Sequence, residues 1–408
     1  MKQSVQSKSA MPEVSVLEEV FCPCCNSKGV SVFYKQKNVP VHSVLLMPTR
    51  EVAMSYPTGQ IALGFCQNCG FIFNISFDPD VHEYSSRYEE TQGFSSTFNA
   101  FHRRLAAYLI ERYNLYNKTI IEVGCGKGEF LTMLCEMGEN CGVGFDPGYI
   151  NERNSSLAQD RITFIKDFYS EKHTGYHADF VCCKMTLEHI HRTADFVNTV
   201  RRSIGNRLDT IVFFQVPDVT RVLRELAFWD IYYEHCSYFS MGSLARLFRK
   251  CSFDVTDIWK DYGEQYLMIE ARPCEGKQTS SLPREDDIKD LANDVAYFAK
   301  NYRNKLDTWK HYFQKIKHNK QRTVIWGSGS KGVAFLTTLC IQDEIEFAVD
   351  INPYKHDMYM PGTGQKIVGP DFLQTYKPDI VIAMNPIYGE EIRQDLNRMG
   401  LSAELVTV

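Results

Sequence analysis

The rhythm of apolar and polar positions divides the 408-residue chain into segments. Residues 1–16 show no periodic apolar pattern and read as a flexible tail. From Phe21 to about residue 80 strand formers and turns dominate, which predicts a small module over 17–80. Short apolar runs then recur at 119–123, 141–145, 162–165, 179–184 and 210–215, with helical spacing at 94–113, 126–137 and 192–204. Buried strands alternating with helices predict a parallel sheet covered on both faces, here over 81–275. Phe253–Ile258 and Gln265–Glu270 predict a closing antiparallel pair. Pro273, Gly276 and Pro283 mark a linker. Beyond it, apolar residues three and four apart run from Ile288 through Phe298 and Trp309 to Ile316. They predict one long amphipathic helix, from about 285 to 318 within the segment 276–320. Its stripe either packs on another domain or forms a dimer coiled coil. A second α/β unit, 321–408, opens with strand Thr323–Trp326 and continues with strands ending at Asp350 and Met384.

A chain this long exceeds one core, so two or three domains are expected. A net charge of −5 provides no field for nucleic acid or an anionic membrane, and no run of about twenty apolar residues spans a bilayer. The polar start lacks the apolar core of a secretory signal, and fourteen cysteines without such a signal point to reduced thiols and a cytoplasmic protein. Monomer and homodimer both remain open.

The densest chemistry lies in Thr119–Gly128 and Cys141–Asp146. Gly124, Gly126 and Gly128 allow a tight turn between a strand and a helix, and Asp146 closes the next strand, where a carboxylate can accept from ribose hydroxyls. A dinucleotide site would use the same geometry. Glu122, two residues before the first glycine, resembles motif I of class I S-adenosylmethionine (SAM) methyltransferases, which implies a role at the amino-acid end of that cofactor. Asp167, after the third strand, is where an adenine-edge acceptor is expected, and the resemblance implies that Glu188, after the fourth, borders the cofactor pocket. Gly327-Ser-Gly-Ser-Lys-Gly332, with Asp350 ending the next strand, is a second glycine loop that could equally hold NAD.

Cys22–Cys25 and Cys66–Cys69 make a C-x₂-C, C-x₂-C set. Four thiolates leave no open position, so such a site holds structural zinc. Cys24 could replace Cys25 as ligand. Residues 229–240 put Tyr232, Tyr233, Glu234 and His235 where loops leave the sheet, at the end where open α/β folds bind ligands. His235 is a candidate base, Glu234 could tune it or face a partner of its own, and the tyrosines could donate to an oxyanion. A lone histidine of this kind is more often a satisfied structural residue.

Together these segments resemble the sugar C-methyltransferase family of deoxysugar biosynthesis, from Cys22 to about residue 395. That resemblance implies an α/β protein with an N-terminal zinc-binding module, a central class I SAM methyltransferase domain and a C-terminal Rossmann-like domain. It implies SAM as cofactor, a nucleotide-linked keto sugar as substrate, and a Tyr-x-Glu-His segment, Tyr232, Glu234 and His235, whose histidine removes the proton α to the ketone. It places Gly327, Gly329, Lys331, Asp350 and Asn352 at the sugar nucleotide, with Tyr84 or Tyr88 as the N-terminal substrate tyrosine. Gln215-Val-Pro217, Gly263-Glu-Gln-Tyr-Leu267 and Met384-Asn385 depart from the family pattern, which leaves room for an oxygen, nitrogen or non-sugar acceptor.

Overall fold

The computed structural model describes residues 15–81, 87–154, 156–276 and 278–408. Strands β1 (Ser15–Leu17), β2 (Val30–Pro40), β3 (Thr58–Cys66) and β4 (Ile72–Asn74) form an antiparallel meander. Next come β5 (Thr119–Val123), β6 (Cys141–Phe145), β7 (Ile162–Ile165), β8 (Phe180–Lys184) and β9 (Ile211–Pro217). All five are parallel. The run Phe-Val-Cys-Cys-Lys of β8 is buried throughout, as expected for a central parallel strand covered on both faces.

A two-residue strand, β10 (Ser237–Tyr238), then leaves this domain and pairs antiparallel with β4, Ser237 opposite Phe73. Among the described residues the N-terminal sheet therefore has five strands, the last contributed by the loop that carries His235. Strands β11 (Phe253–Asp261) and β12 (Tyr266–Pro273) close the central sheet in the order β11-β12-β9-β8-β5-β6-β7, with β12 antiparallel to both neighbours.

The helix expected at 126–137 starts only at Glu129. Gly124, Gly126 and Gly128 all take positive φ, between 55° and 83°, so no helical turn can include them. Helix Ser96–Tyr113 precedes β5. The Ser95 hydroxyl caps it by accepting from Phe98 N at 3.2 Å, and Asn114 ends it in the left-handed region.

The third sheet is parallel throughout: β13 (Thr323–Trp326), β14 (Phe347–Val349), β15 (Lys366–Val368), β16 (Ile380–Ala383) and β17 (Glu404–Thr407), ordered β15-β14-β13-β16-β17. The long helix runs from Ile288 to His318. Its N-terminal half packs Phe298 edge-on to Phe33 and Tyr34 of β2, at 6.2 and 5.8 Å. Its C-terminal half packs Trp309 and Phe313 on Phe335 of helix Ser330–Leu339, at 4.9 and 6.0 Å. The apolar stripe is thus buried within the chain itself, where a coiled-coil partner would otherwise have been needed. Among the described residues no helix is long and apolar enough to cross a membrane.

Candidate active site

A cavity of about 500 Å³ opens at the carboxyl ends of β5, β6 and β8 and extends to the glycine loop after β13. That volume suits a small-molecule ligand. Gly124, Gly126, Lys127 and Asp146 line one end, and Gly327, Gly329, Lys331 and Asn352 line the other. Glu188, His189, Tyr232 and His235 lie on the wall between them.

At the first end a side chain on Gly124 would lie 2.0 Å from Thr186 Oγ1, so only glycine lets the loop pass. Glu122 is buried and its Oε2 accepts from Leu131 N at 2.9 Å. Burial pushes its acid up, and Lys184 opposes that shift. Asp146 was expected to face a ribose; its Oδ2 accepts from Gly126 N at 2.9 Å and its Oδ1 from Gly148 N at 2.7 Å. The carboxylate first shapes the loop, and each oxygen retains a lone pair for a ligand hydroxyl. Asp167 lines the cavity too, ion-paired with Lys172 and 3.3 Å from His173 Nε2. Lys127, which the sequence reading passed over, is buried and donates to Tyr88 O at 2.9 Å and Gly148 O at 3.0 Å, closing the loop over residue 88.

On the wall, His235 Nε2 lies 3.0 Å from Tyr232 Oη and 4.0 Å from Glu188 Oε1. Burial, with His189 and Lys331 nearby, pushes the His235 imidazolium far down, so the ring stands in its neutral form. Burial likewise holds Tyr232 as a phenol. The ligating atoms of Glu188, His189 and His235 lie within 4.8 Å of one another, a spacing that could grip a cation. With the ring proton on Nε2 and shared with Tyr232 Oη, that nitrogen offers no lone pair to such an ion, and the lone pair of the neutral ring stands at Nδ1.

Two expected site residues turn away. Glu234 is buried against the N-terminal module, where its Oε2 accepts from Ser43 N at 2.9 Å and from the Ser43 hydroxyl, and its Oε1 lies 3.3 Å from His42 Nδ1. Burial pushes the Glu234 acid up, but those partners outweigh it and hold the carboxyl below its usual range. Tyr233 packs under Gly59 and on Phe77, and its hydroxyl accepts from Asp78 N at 2.8 Å. Neither lines the cavity, so Glu234 braces the His235 loop from behind and Tyr233 is a packing residue where substrate contact had been expected. Tyr88 lines the cavity; Tyr84 lies outside the described residues.

At the far end Lys331 is ion-paired with Asp230, and Asp230 in turn with Arg221. Asp350 accepts from Ser328 N at 3.1 Å, from the Ser328 hydroxyl at 2.5 Å and from Asn352 N at 2.9 Å, with Lys355 Nζ at 3.3 Å. A carboxylate so fully used by its own loop is poorly free to take both hydroxyls of an NAD ribose. Asn352 donates to Glu89 Oε1 at 2.8 Å, and Arg153 grips Glu89 with both terminal nitrogens, at 2.9 and 3.1 Å. This joins the central and C-terminal parts of the chain beside the cavity.

Away from the cavity, the sulfurs of Cys22, Cys25, Cys66 and Cys69 converge. Cys22 and Cys69 Sγ are 3.6 Å apart, as are those of Cys25 and Cys66. Tetrahedral zinc with 2.3 Å bonds sets sulfurs about 3.8 Å apart. The donor set fits zinc, and Cys25 rather than Cys24 completes it.

Residues 97–258 match the family described as Methyltransferase domain, and residues 277–404 match the C-methyltransferase C-terminal domain. The second match begins before the long helix and so groups it with the sheet behind it. The curated C-methyltransferase NovU of Streptomyces niveus is 24% identical over 344 residues, 80% of each chain. The chain is a SAM-dependent methyltransferase. Among solved structures the methyltransferase is similar to magnesium protoporphyrin IX methyltransferase of Synechocystis PCC 6803 with bound S-adenosylhomocysteine (SAH; 13% identity, 44% of this chain and 84% of that one, TM-score 0.34). It is also similar to an amino-demethyl-riboflavin dimethyltransferase of Streptomyces davawensis (15%, 43% and 56%, TM-score 0.36).

Proposed function

We propose that this methyltransferase acts on carbon, methylating a nucleotide-linked keto-deoxysugar at the position α to its ketone. The observation that carries the reading is a neutral, buried His235 on the wall of a cavity running from the motif I glycines to the second glycine loop. The match to a C-methyltransferase C-terminal domain supports carbon as acceptor. The sugar rests on the resemblance of the Tyr-x-Glu-His segment and of the Gly327–Gly332 loop.

SAM, when bound, supplies a methyl group on a sulfonium, an electrophile that needs only an aligned nucleophile. Glu122 and Asp146 are placed to hold its amino-acid and ribose ends. His235 would take the α proton at a ring nitrogen, leaving the electron pair in the substrate's enolate, whose carbon then receives the methyl group. Tyr232, hydrogen-bonded to Nε2, keeps the ring oriented, while Glu234, anchored on Ser43 and His42, keeps its loop in place. Lys331 and Asn352 would face the nucleotide. The four-cysteine site would hold structural zinc.

The test is His235→Ala. We expect methyl transfer to be lost while SAH still binds in calorimetry, and a variant turning over at near wild-type rate would remove the base assignment. An NMR spectrum with the product methyl on oxygen or nitrogen would replace carbon as acceptor.

A further inference from the structure

The Methyltransferase match and the motif I residues leave one strong feature of the cofactor end unexplained: a buried ammonium with no carboxylate beside it. Lys184 ends β8, a strand otherwise built of Phe, Val and Cys. It is 8% exposed and lines the cavity. Its Nζ lies 2.9 Å from His102 Nε2 and 4.1 Å from the centre of the Phe130 ring. His102, on helix Ser96–Tyr113, is packed against Phe98 and Phe130, and burial followed by the charge of Lys184 pushes its imidazolium far down. It is therefore a neutral acceptor that aims the lysine without balancing its charge. Among the described residues no carboxylate oxygen lies within ion-pair distance of Nζ. A buried cation held by a neutral ring and an aromatic face is costly to keep unless something anionic arrives.

Glu122 stands opposite. Across the β5–β8 ladder Glu122 is the partner of Cys182, and Lys184 lies two residues further along, so both side chains leave the same face of the sheet. They attract one another, yet they do not meet. Two buried groups of opposite charge, fixed apart on one wall of a cavity beside a glycine loop, match the two charges of an α-amino acid.

We propose that Lys184, aimed by His102, binds the α-carboxylate of the cofactor's amino-acid end while Glu122 takes its ammonium. The assignment rests on SAM as cofactor and is independent of the acceptor. It makes Lys184 a binding residue and His102 a positioning residue. A ligand carboxylate would also offset the burial that lowers Lys184's hold on its proton.

The test compares three neutral-sulfur ligands by calorimetry on the full chain. They are SAH, its decarboxylated analogue, and 5′-methylthioadenosine, which lacks both charged groups. The wild type should prefer SAH to the decarboxylated analogue by about thirtyfold, as for one charge-assisted hydrogen bond. In Lys184→Met that preference should fall to within about threefold, with 5′-methylthioadenosine binding unchanged as the sign of an intact adenosine pocket. Lys184→Arg, which keeps the charge, should keep most of the preference. A wild type indifferent to the carboxylate overturns the proposal without any variant, and so does a preference that survives in Lys184→Met. Failure of the wild type to bind SAH at all would instead remove the cofactor reading on which the proposal rests.

Discussion

Glu188 is 1% exposed, neither of its carboxylate oxygens has a hydrogen-bond partner among the described residues, and burial pushes its acid up to about 8. In the unfolded chain the same group ionises near 4.5. Between those two values the unfolded chain has lost a proton that the folded protein keeps, so this residue's contribution to stability falls as pH rises. Glu188→Gln removes the dependence. We expect the variant's stability relative to wild type to be flat below pH 4.5 and to rise on the way to pH 8, by up to on the order of 4 kcal/mol. Urea unfolding at three pH values in that window measures it, and a difference independent of pH would refute it. At this scale the chain was unevenly legible. The residue types of motif I point to a cofactor site, and Glu188 lines the cavity. Glu234 and Tyr233 could not be placed from spacing, because which neighbour of His235 faces the cavity depends on a loop braced by Ser43 and Asp78, both distant in sequence. Lys184 left a trace that was not used: a charge at the end of an apolar strand. Two segments that differ from the pattern of sugar C-methyltransferases meet in space, since the side-chain amides of Gln265 and Asn385, the latter next to Met384, pair reciprocally at 2.9 and 3.0 Å.

Among the elements, the helix Ile288–His318 was readable from its stripe because 31 residues give the period many chances to repeat. Strand β10 was not, since two residues carry no period, and β17 was missed because its half-exposed residues form no apolar run. The helix starts after the third glycine for a reason of conformation that hydrophobic spacing does not register. The long helix acts as a strut: Phe298 anchors one end on β2 and Trp309 the other on Phe335. Phe298 is fully buried, and truncating it leaves a cavity under Phe33, Tyr34 and Tyr302. We expect Phe298→Ala to cost about 3–5 kcal/mol in unfolding free energy while leaving SAH affinity at low temperature unchanged. The glycine loop lies on another element, so a variant that loses SAH affinity in proportion to stability would show that the strut reaches the cofactor end.

For the whole molecule the question is how the four-cysteine module, remote from the glycine loop, bears on catalysis. Cys66 ends β3 and Cys69 lies in the turn to β4, so an ion held there fixes the β3–β4 hairpin. Strand β4 pairs with β10, and β10 begins two residues after His235. The module is also fastened to helix Met241–Lys250, where Arg246 Nε donates to Cys69 O at 3.0 Å and Lys250 Nζ to Cys24 O at 2.7 Å. Zinc would therefore reach the His235 loop through a short mechanical path, whereas Glu122, Asp146 and the motif I loop are held by the central sheet. Cys66→Ser, or slow removal of zinc by a chelator, should lower kcat by about tenfold or more while changing SAH affinity less than about threefold, because a small displacement of a catalytic group costs rate before it costs binding. Zinc content, kcat and SAH affinity measured on the same samples decide it. If kcat and SAH affinity fall together with the melting temperature, the module serves stability alone; if kcat falls first, β10 is the link by which a structural ion sets the position of His235.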